Sequence, residues 1–231
     1  MQTKLLGVLS LTCLIITILW LVLFVAGMAV AGPLETFEQV LAHVNKLGVL
    51  FYLTYANAAL ITVSAVMLFA ALYIHYKPIA PEWSAIGVMF VPIYGALNLI
   101  AYLSQITAVP RLLELQALPE YQVFSQFLLR QFIQQWSDST ISIVNNWAYA
   151  ILGVPSIVFG ILMLKSVPAL RLGGVLLALN GLACIAGFIG VAAQNAWLSQ
   201  GSIIGGVLFL LALVPMSWVF VQGKAQVVGA G

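Results

Sequence analysis

The chain is poor in charge, because Asp, Glu, Lys and Arg make up only 6% of its 231 residues. A soluble domain carries about 25% charged residues, so 8 basic and 6 acidic side chains could not cover a water-soluble globule of this length. Hydrophobic residues account for 63%, which excludes an intrinsically disordered chain. A formal net charge of +2 is too small to indicate nucleic-acid binding. The composition therefore predicts a polytopic membrane protein that does not bind nucleic acid.

Cysteine and histidine are also scarce, with two of each. Cys13 and Cys184 lie in apolar runs, which indicates buried thiols rather than a disulfide framework. His43 and His75 stand 32 positions apart, and a helix of that length would separate them by about 48 Å, too far to share a haem or a metal ion. Hydrolase and phosphate-loop motifs are missing from the sequence. We expect no cofactor, no metal site and no enzymatic activity.

Six long stretches without Asp, Glu, Lys, Arg or His dominate the sequence, each long enough to cross a hydrocarbon core about 30 Å thick. They cover 5–29, 48–74, 85–107, 141–164, 172–194 and 203–222. Backbone groups inside a bilayer must bond within their own segment, so each stretch is predicted to be helical. The sequence thus predicts an all-α transmembrane bundle of six helices, with 1–231 forming a single integral membrane domain. The first stretch resembles a signal peptide but exceeds the usual apolar length of about 7–15 residues, so we expect it to be retained as a span.

The remaining charges predict the orientation. With six spans, both termini share one side with the loops near 75–84 and 165–171. That side carries Lys4, Lys77, Lys165, Arg171, Lys224 and Glu82. The opposite side carries Lys46, Arg111, Arg130, Glu35, Glu38, Glu114, Glu120 and Asp138. Short loops on the cytoplasmic side of a membrane are enriched in basic residues. We therefore expect a multi-pass protein of the cell inner membrane with cytoplasmic termini.

Two segments outside the spans are amphipathic. Residues 33–47 place apolar residues at helical spacing, with Pro33 suited to the first turn. This segment would lie on the bilayer surface or cap the bundle. Residues 108–140 are expected to be divided by Pro110 and Pro119, with a helix over 121–137. That helix would be either interfacial, or a lid over a ligand cavity or a docking face for a partner.

The spans contain neutral polar residues, and those of the third span form a pattern. Tyr94, Asn98, Tyr102 and Gln105 follow one another at steps of four, four and three, which places them on one face of a helix. Hydrogen bonds between helices explain such a stripe structurally. The functional alternative is a neutral polar cavity between the second, third and fourth spans. We refer to these four residues as the polar stripe.

Three segments resemble a broad bacterial family of small integral membrane proteins with six to seven helices, defined only as a domain of unknown function. They are GVLSLTCLIITILWLVLFVAG, LGVLFYLTYANAALITVSAVMLFAALYIHYKP and ILGVPSIVFGILMLKSVPALRLGGVLLALNGLACIAG. The resemblance implies a helical bundle in the inner membrane. It implies no activity and no catalytic positions.

Two functions follow from these observations. In the first, a non-enzymatic membrane protein binds or passes a small neutral or lipid-like molecule in a cavity lined by the polar stripe, with the 121–137 helix at its outer mouth. In the second, the chain is a structural or regulatory subunit of a larger membrane complex, and the stripe serves only helix packing. The expected partners are membrane lipids, together with a small neutral ligand or a membrane partner protein.

Overall fold

The computed structural model describes residues 2–30 and 34–223, and these residues form ten helical segments and no strand. The segments are α1 (Gln2–Val30), α2 (Phe37–Leu47), α3 (Val49–Tyr76), α4 (Pro81–Met89), α5 (Val91–Gln116), α6 (Gln122–Phe132), α7 (Thr140–Met163), α8 (Pro168–Ala192), α9 (Ala196–Ser199) and α10 (Gly201–Val221). Pro33 and Lys224, which entered the sequence predictions, lie outside the described residues. The all-α fold class is confirmed.

Six stretches of the described chain are long and apolar enough to cross a membrane, as predicted. Four consist of the single helices α1, α3, α7 and α8. The third and the sixth are composite, since α4 and α5 together cover Pro81–Gln116, while α9 and α10 cover Ala196–Val221. The third is interrupted at Phe90, and Pro92 lies in the first turn of α5. A proline there fits the start of a helix, because its missing N–H would have no intrahelical partner.

The predicted break of the chain at Pro110 is wrong. Helix α5 continues through Pro110 to Gln116, nine residues beyond the predicted end at 107. Proline removes one helical hydrogen bond, but Val109 and Leu112 on either side of it are buried, and their packing holds the helix together. The predicted break at Pro119 is correct, because this residue lies in the turn between α5 and α6.

The amphipathic segment before the second span forms helix α2, which begins after Thr36 rather than near Pro33. The Thr36 hydroxyl accepts from the Gln39 N–H at 3.3 Å, and the Gln39 side chain accepts from the Thr36 N–H at 3.0 Å. This reciprocal pair is a capping box, which fixes the first residue of a helix. Phe37, Val40 and Val44 are buried, so α2 caps one end of the bundle.

The buried residues divide into two cores. One joins α1, α3, α5, α7, α8 and α10 and contains Leu6, Phe69, Phe159, Leu213 and Phe220 among others. The other lies at the end of the bundle where α3 begins and joins α2, α3, α5 and α6 through Phe37, Val40, Phe51, Leu129 and Ile133 among others. Both predicted buried thiols, Cys13 and Cys184, are free and buried.

Glycine allows α7 and α8 to approach very closely. A Cβ built at Gly153 would lie 2.7 Å from the carbonyl oxygen of Gly181, and one at Gly160 would lie 2.6 Å from that of Gly174. Only glycine fits at these contacts, because backbone meets backbone directly. The small residues of these helices therefore serve packing within the chain.

Candidate functional site

All four residues of the polar stripe point into the bundle. Tyr94, Asn98, Tyr102 and Gln105 are buried on one face of α5, and none exposes more than 6% of its surface. The regular helix from Val91 to Gln116 is what aligns them. Their partners lie on α3, on α7, at the end of α6 and in the segment that follows it.

Asn98 lies at the centre of the stripe. Its side-chain N–H donates to the Thr62 hydroxyl of α3 at 2.9 Å and to the Tyr94 hydroxyl at 3.3 Å. Thr62 in turn donates to the carbonyl of Ala58 at 3.0 Å. The Oδ1 of Asn98 is buried and has no hydrogen-bond partner among residues 2–30 and 34–223. The site thus contains an acceptor that native proteins normally satisfy.

Tyr102 connects the stripe to α7. Its hydroxyl lies 2.6 Å from that of Tyr149, and either oxygen can be the donor. The Tyr149 ring also lies beside that of Tyr94, with the ring centroids 6.4 Å apart. The ring centroid of Tyr55, on α3, lies 6.1 Å from that of Tyr102. The rings of Tyr94, Tyr102 and Tyr149 therefore lie close together between α5 and α7, and Asn98 bonds the first of them.

Gln105 differs from the other three because main-chain groups occupy its amide. Its N–H donates to the carbonyl of Phe132 at 2.7 Å and to that of Ala101 at 3.2 Å, while its Oε1 accepts from the Gln134 N–H at 3.0 Å. These bonds attach the end of α6 to α5. Gln105 is therefore a structural residue, and the ligand-facing candidates reduce to Tyr94, Asn98 and Tyr102.

Thr62 on α3 is the side-chain partner of Asn98, and its role was not predicted from the sequence. A single threonine in an apolar run gives little signal, although its position is informative. Thr62 lies 13 residues after Val49 and 14 before Tyr76, at the middle of α3. The centre of the polar cluster formed by Thr62, Tyr94, Asn98, Tyr102 and Tyr149 is thus level with the middle of a long apolar helix.

Other polar residues of the spans bond elsewhere. Asn57 donates to the carbonyl of Ile16 on α1 at 3.1 Å. Asn180 donates to the carbonyl of Gly205 on α10 at 2.9 Å. These asparagines each hold two helices together, as expected of neutral polar residues in such bundles.

Neither of two cavities at the surface of the described residues is lined by the polar stripe. One, of about 150 Å³, is bounded by Val44, Asn45, Gly48, Phe51, Tyr52, Pro110 and Leu113. The other is a depression beside Arg111, Glu114, Leu115 and Leu118. A molecule bound at the polar cluster would have to separate the hydroxyls of Tyr102 and Tyr149, which join α5 to α7 at 2.6 Å.

In the described part of the chain, no three His, Cys, Asp or Glu residues are placed to hold a metal ion. His43 lies on α2 and His75 in the last turn of α3. Burial of His43, and to a lesser degree the positive charge of Lys46, lower the pKa of its imidazole.

The fold and the cluster define an α-helical bundle with six stretches long and apolar enough to cross a membrane, and with a neutral polar centre. No model of a known family, no curated protein and no solved structure matches the chain. The likeness to the bacterial domain of unknown function stays a prediction, and the function has to be inferred from the geometry of this chain.

Proposed function

We propose that the protein is a multi-pass protein of the cell inner membrane. Each long helix exposes large apolar side chains, among them Val8, Leu60, Ile100, Ile161, Leu182 and Leu211. Tyr52 and Tyr73 are 21 residues apart on α3, which corresponds to about 32 Å along a helix. Trp197 and Trp218 have the same separation in sequence. These spacings suit the aromatic belts on either side of a hydrocarbon core of about 30 Å.

The distribution of charge supports cytoplasmic termini. The end of the bundle that holds the start of α1 carries Lys4, Lys77, Lys165 and Arg171 against the single acid Glu82. The other end, formed by α2, α6 and the adjoining turns, has more acidic than basic residues. In bacterial inner membranes the basic end faces the cytoplasm.

We infer that the protein is non-enzymatic and binds, or passes, a small uncharged molecule at the polar cluster. The observation that carries this inference is the unpaired Oδ1 of Asn98, which is 1% exposed and level with the middle of α3. An unpaired buried acceptor costs about 1–3 kcal/mol. A ligand that donates a hydroxyl or an N–H would recover this cost, and the tyrosine rings would cover its apolar part.

An uncharged ligand suits the site because the cluster offers no carboxylate, ammonium or guanidinium group to balance a charge. Burial of an unpaired charge there would be very costly. Entry would separate the hydroxyls of Tyr102 and Tyr149. Since those hydroxyls become free as the helices part, they would then be available to the ligand.

Native mass spectrometry of the detergent-purified protein tests this function. We expect wild-type protein to retain a small molecule that Asn98→Leu loses. The matched control is Asn180→Leu, which removes an asparagine that is equally buried and also has an unpaired Oδ1, but lies outside the polar cluster and bonds α10. This variant should keep the molecule. The proposal is wrong if wild type carries no bound molecule, or if Asn98→Leu retains it as well as wild type does.

A second function, that of a subunit in a larger membrane complex, is favoured by helix α6. Val123, Phe124 and Phe127 are exposed on this helix, and Val123 exposes 83% of its surface. They are exposed although α6 is not one of the six long apolar stretches. Such a face is typical of a protein contact. In the same mass spectra a stoichiometric partner protein, lost in the Phe124→Ser and Phe127→Ser double variant, would support this function.

A further inference from the structure

The groove between the start of α3 and the end of α5 has the character of a binding site for a membrane lipid. Its walls are apolar, formed by Val44 and Phe51 on one side and by Pro110 and Leu113 on the other. Asn45 and Tyr52, which also line it, are both exposed. The volume of about 150 Å³ accommodates a short length of hydrocarbon chain.

Gly48 and Pro110 line opposite sides of this groove. Gly48 joins α2 to α3 with φ at +50°, and a Cβ built there would meet no atom within 4 Å. This left-handed backbone favours glycine, so no side chain fills the space. On the opposite wall Pro110 has no N–H, which leaves the carbonyl of Ile106 without its helical donor.

The position of the groove identifies its occupant. Tyr52 belongs to the proposed aromatic belt, so the groove opens at the outer boundary of the hydrocarbon core. Beside it, Val49 is 73% exposed and Leu53 is 51% exposed, and both would face acyl chains. Because the lining includes no charged side chain, it suits a hydrocarbon chain rather than a phosphate. Among the lining residues, Asn45 is the one with a side-chain amide.

We propose that this groove binds one acyl chain of an outer-leaflet phospholipid, with the Asn45 amide donating to the ester carbonyl. The inference rests on the proposed placement in a membrane, but not on the ligand proposed for the polar cluster. An acyl chain bound between Phe51 and Leu113 would contact α2, α3 and α5 at the space that Gly48 leaves unfilled, and would stabilise their packing.

Photo-crosslinking in nanodiscs tests the site. The full-length protein is reconstituted in phosphatidylethanolamine and phosphatidylglycerol with a trace of phosphatidylcholine that carries a diazirine in one acyl chain. After irradiation, mass spectrometry of peptides locates the label. We expect labelling of 44–52 and 110–113 to exceed that of the exposed residues Leu179 and Leu182 on α8 by about tenfold, since each 1.4 kcal/mol of preference gives a factor of ten.

The variant Leu113→Trp fills the groove and should reduce labelling there to the level seen on α8. Asn45→Trp covers the mouth from an exposed position, so it gives the same test if Leu113→Trp does not fold. Leu182→Trp, on the surface of α8, is the matched control and should leave groove labelling unchanged. Equal labelling of all apolar surfaces, or groove labelling that survives both variants, overturns the proposal. If the lipid probe labels no part of the protein, the proposed placement in a membrane is wrong.

Discussion

The hydroxyl oxygens of Tyr102 on α5 and Tyr149 on α7 lie 2.6 Å apart inside the bundle. Tyr102 is buried and Tyr149 is partly buried, and each hydroxyl has the other as its side-chain partner. This bond joins two helices at the polar cluster, and it is also the contact that a ligand entering the cluster would break.

Removal of either hydroxyl should destabilise the protein to a similar extent. We expect Tyr102→Phe and Tyr149→Phe each to lower the free energy of unfolding by about 1–2 kcal/mol, because the remaining hydroxyl is left unpaired. The double variant should cost little more than one single variant, since both changes remove the same bond. Unfolding in mixed micelles of increasing denaturing-detergent fraction measures all four proteins. Strictly additive losses would show that the two hydroxyls do not act as a pair.

Gln105 should matter more for stability than any other residue of the polar stripe. Gln105→Ala leaves the Phe132 carbonyl and the Gln134 N–H without their side-chain partner, and we expect a loss of about 2–4 kcal/mol. The control is Thr107→Ala, since Thr107 is exposed and bonds only the carbonyl of Leu103 in its own helix. The same unfolding assay applies. Hydrogen exchange should also rise selectively over 130–139, and unchanged exchange there would contradict the role of Gln105 as an attachment point.

The spans could be predicted because burial in an apolar medium requires long uncharged runs, and such runs are visible in sequence. The burial of the polar stripe also followed from its spacing on one helix face. What could not be predicted is which group satisfies each side chain. Gln105 bonds main-chain atoms 27 and 29 positions away, and no residue type signals a main-chain partner.

The ends of the helices were harder to predict than their centres. At Pro110 the local rule favoured a break, but packing of Val109 and Leu112 in the second core outweighed one lost hydrogen bond. On α6 the periodicity predicted an apolar face without indicating what would cover it. In the structure Leu129 is buried while Val123 and Phe127 are exposed, because only the side towards α5 meets the bundle.

The proposed orientation can be tested by cysteine labelling in whole cells. Asp138→Cys should react with a membrane-impermeant maleimide, and Lys165→Cys should react only after the cells are permeabilised, since the two positions lie at opposite ends of α7. Cys13 and Cys184 are buried, so the unaltered protein serves as the background control. The reverse pattern would place the termini outside the cytoplasm.

The attachment of α2 should weaken in acid. Burial and, secondarily, Lys46 hold the pKa of His43 below its ordinary value of 6.5, so the folded protein binds the proton less readily than the unfolded chain. The stability that this provides is complete above about pH 6.5 and declines as the pH falls below it. Hydrogen exchange over Phe37–Leu47 at a series of pH values, corrected for the intrinsic rate, should reveal the decline.

Substitution of His43 separates this effect from general acid destabilisation. His43→Gln keeps a polar side chain of similar length but cannot take up a proton near neutral pH, so exchange over α2 should lose its pH dependence below 6.5. His75→Gln is the matched control, because His75 lies at the other end of α3 and does not contact α2. If α2 loosens equally in wild type and His43→Gln, another group is responsible, and the buried imidazole does not determine how α2 is held.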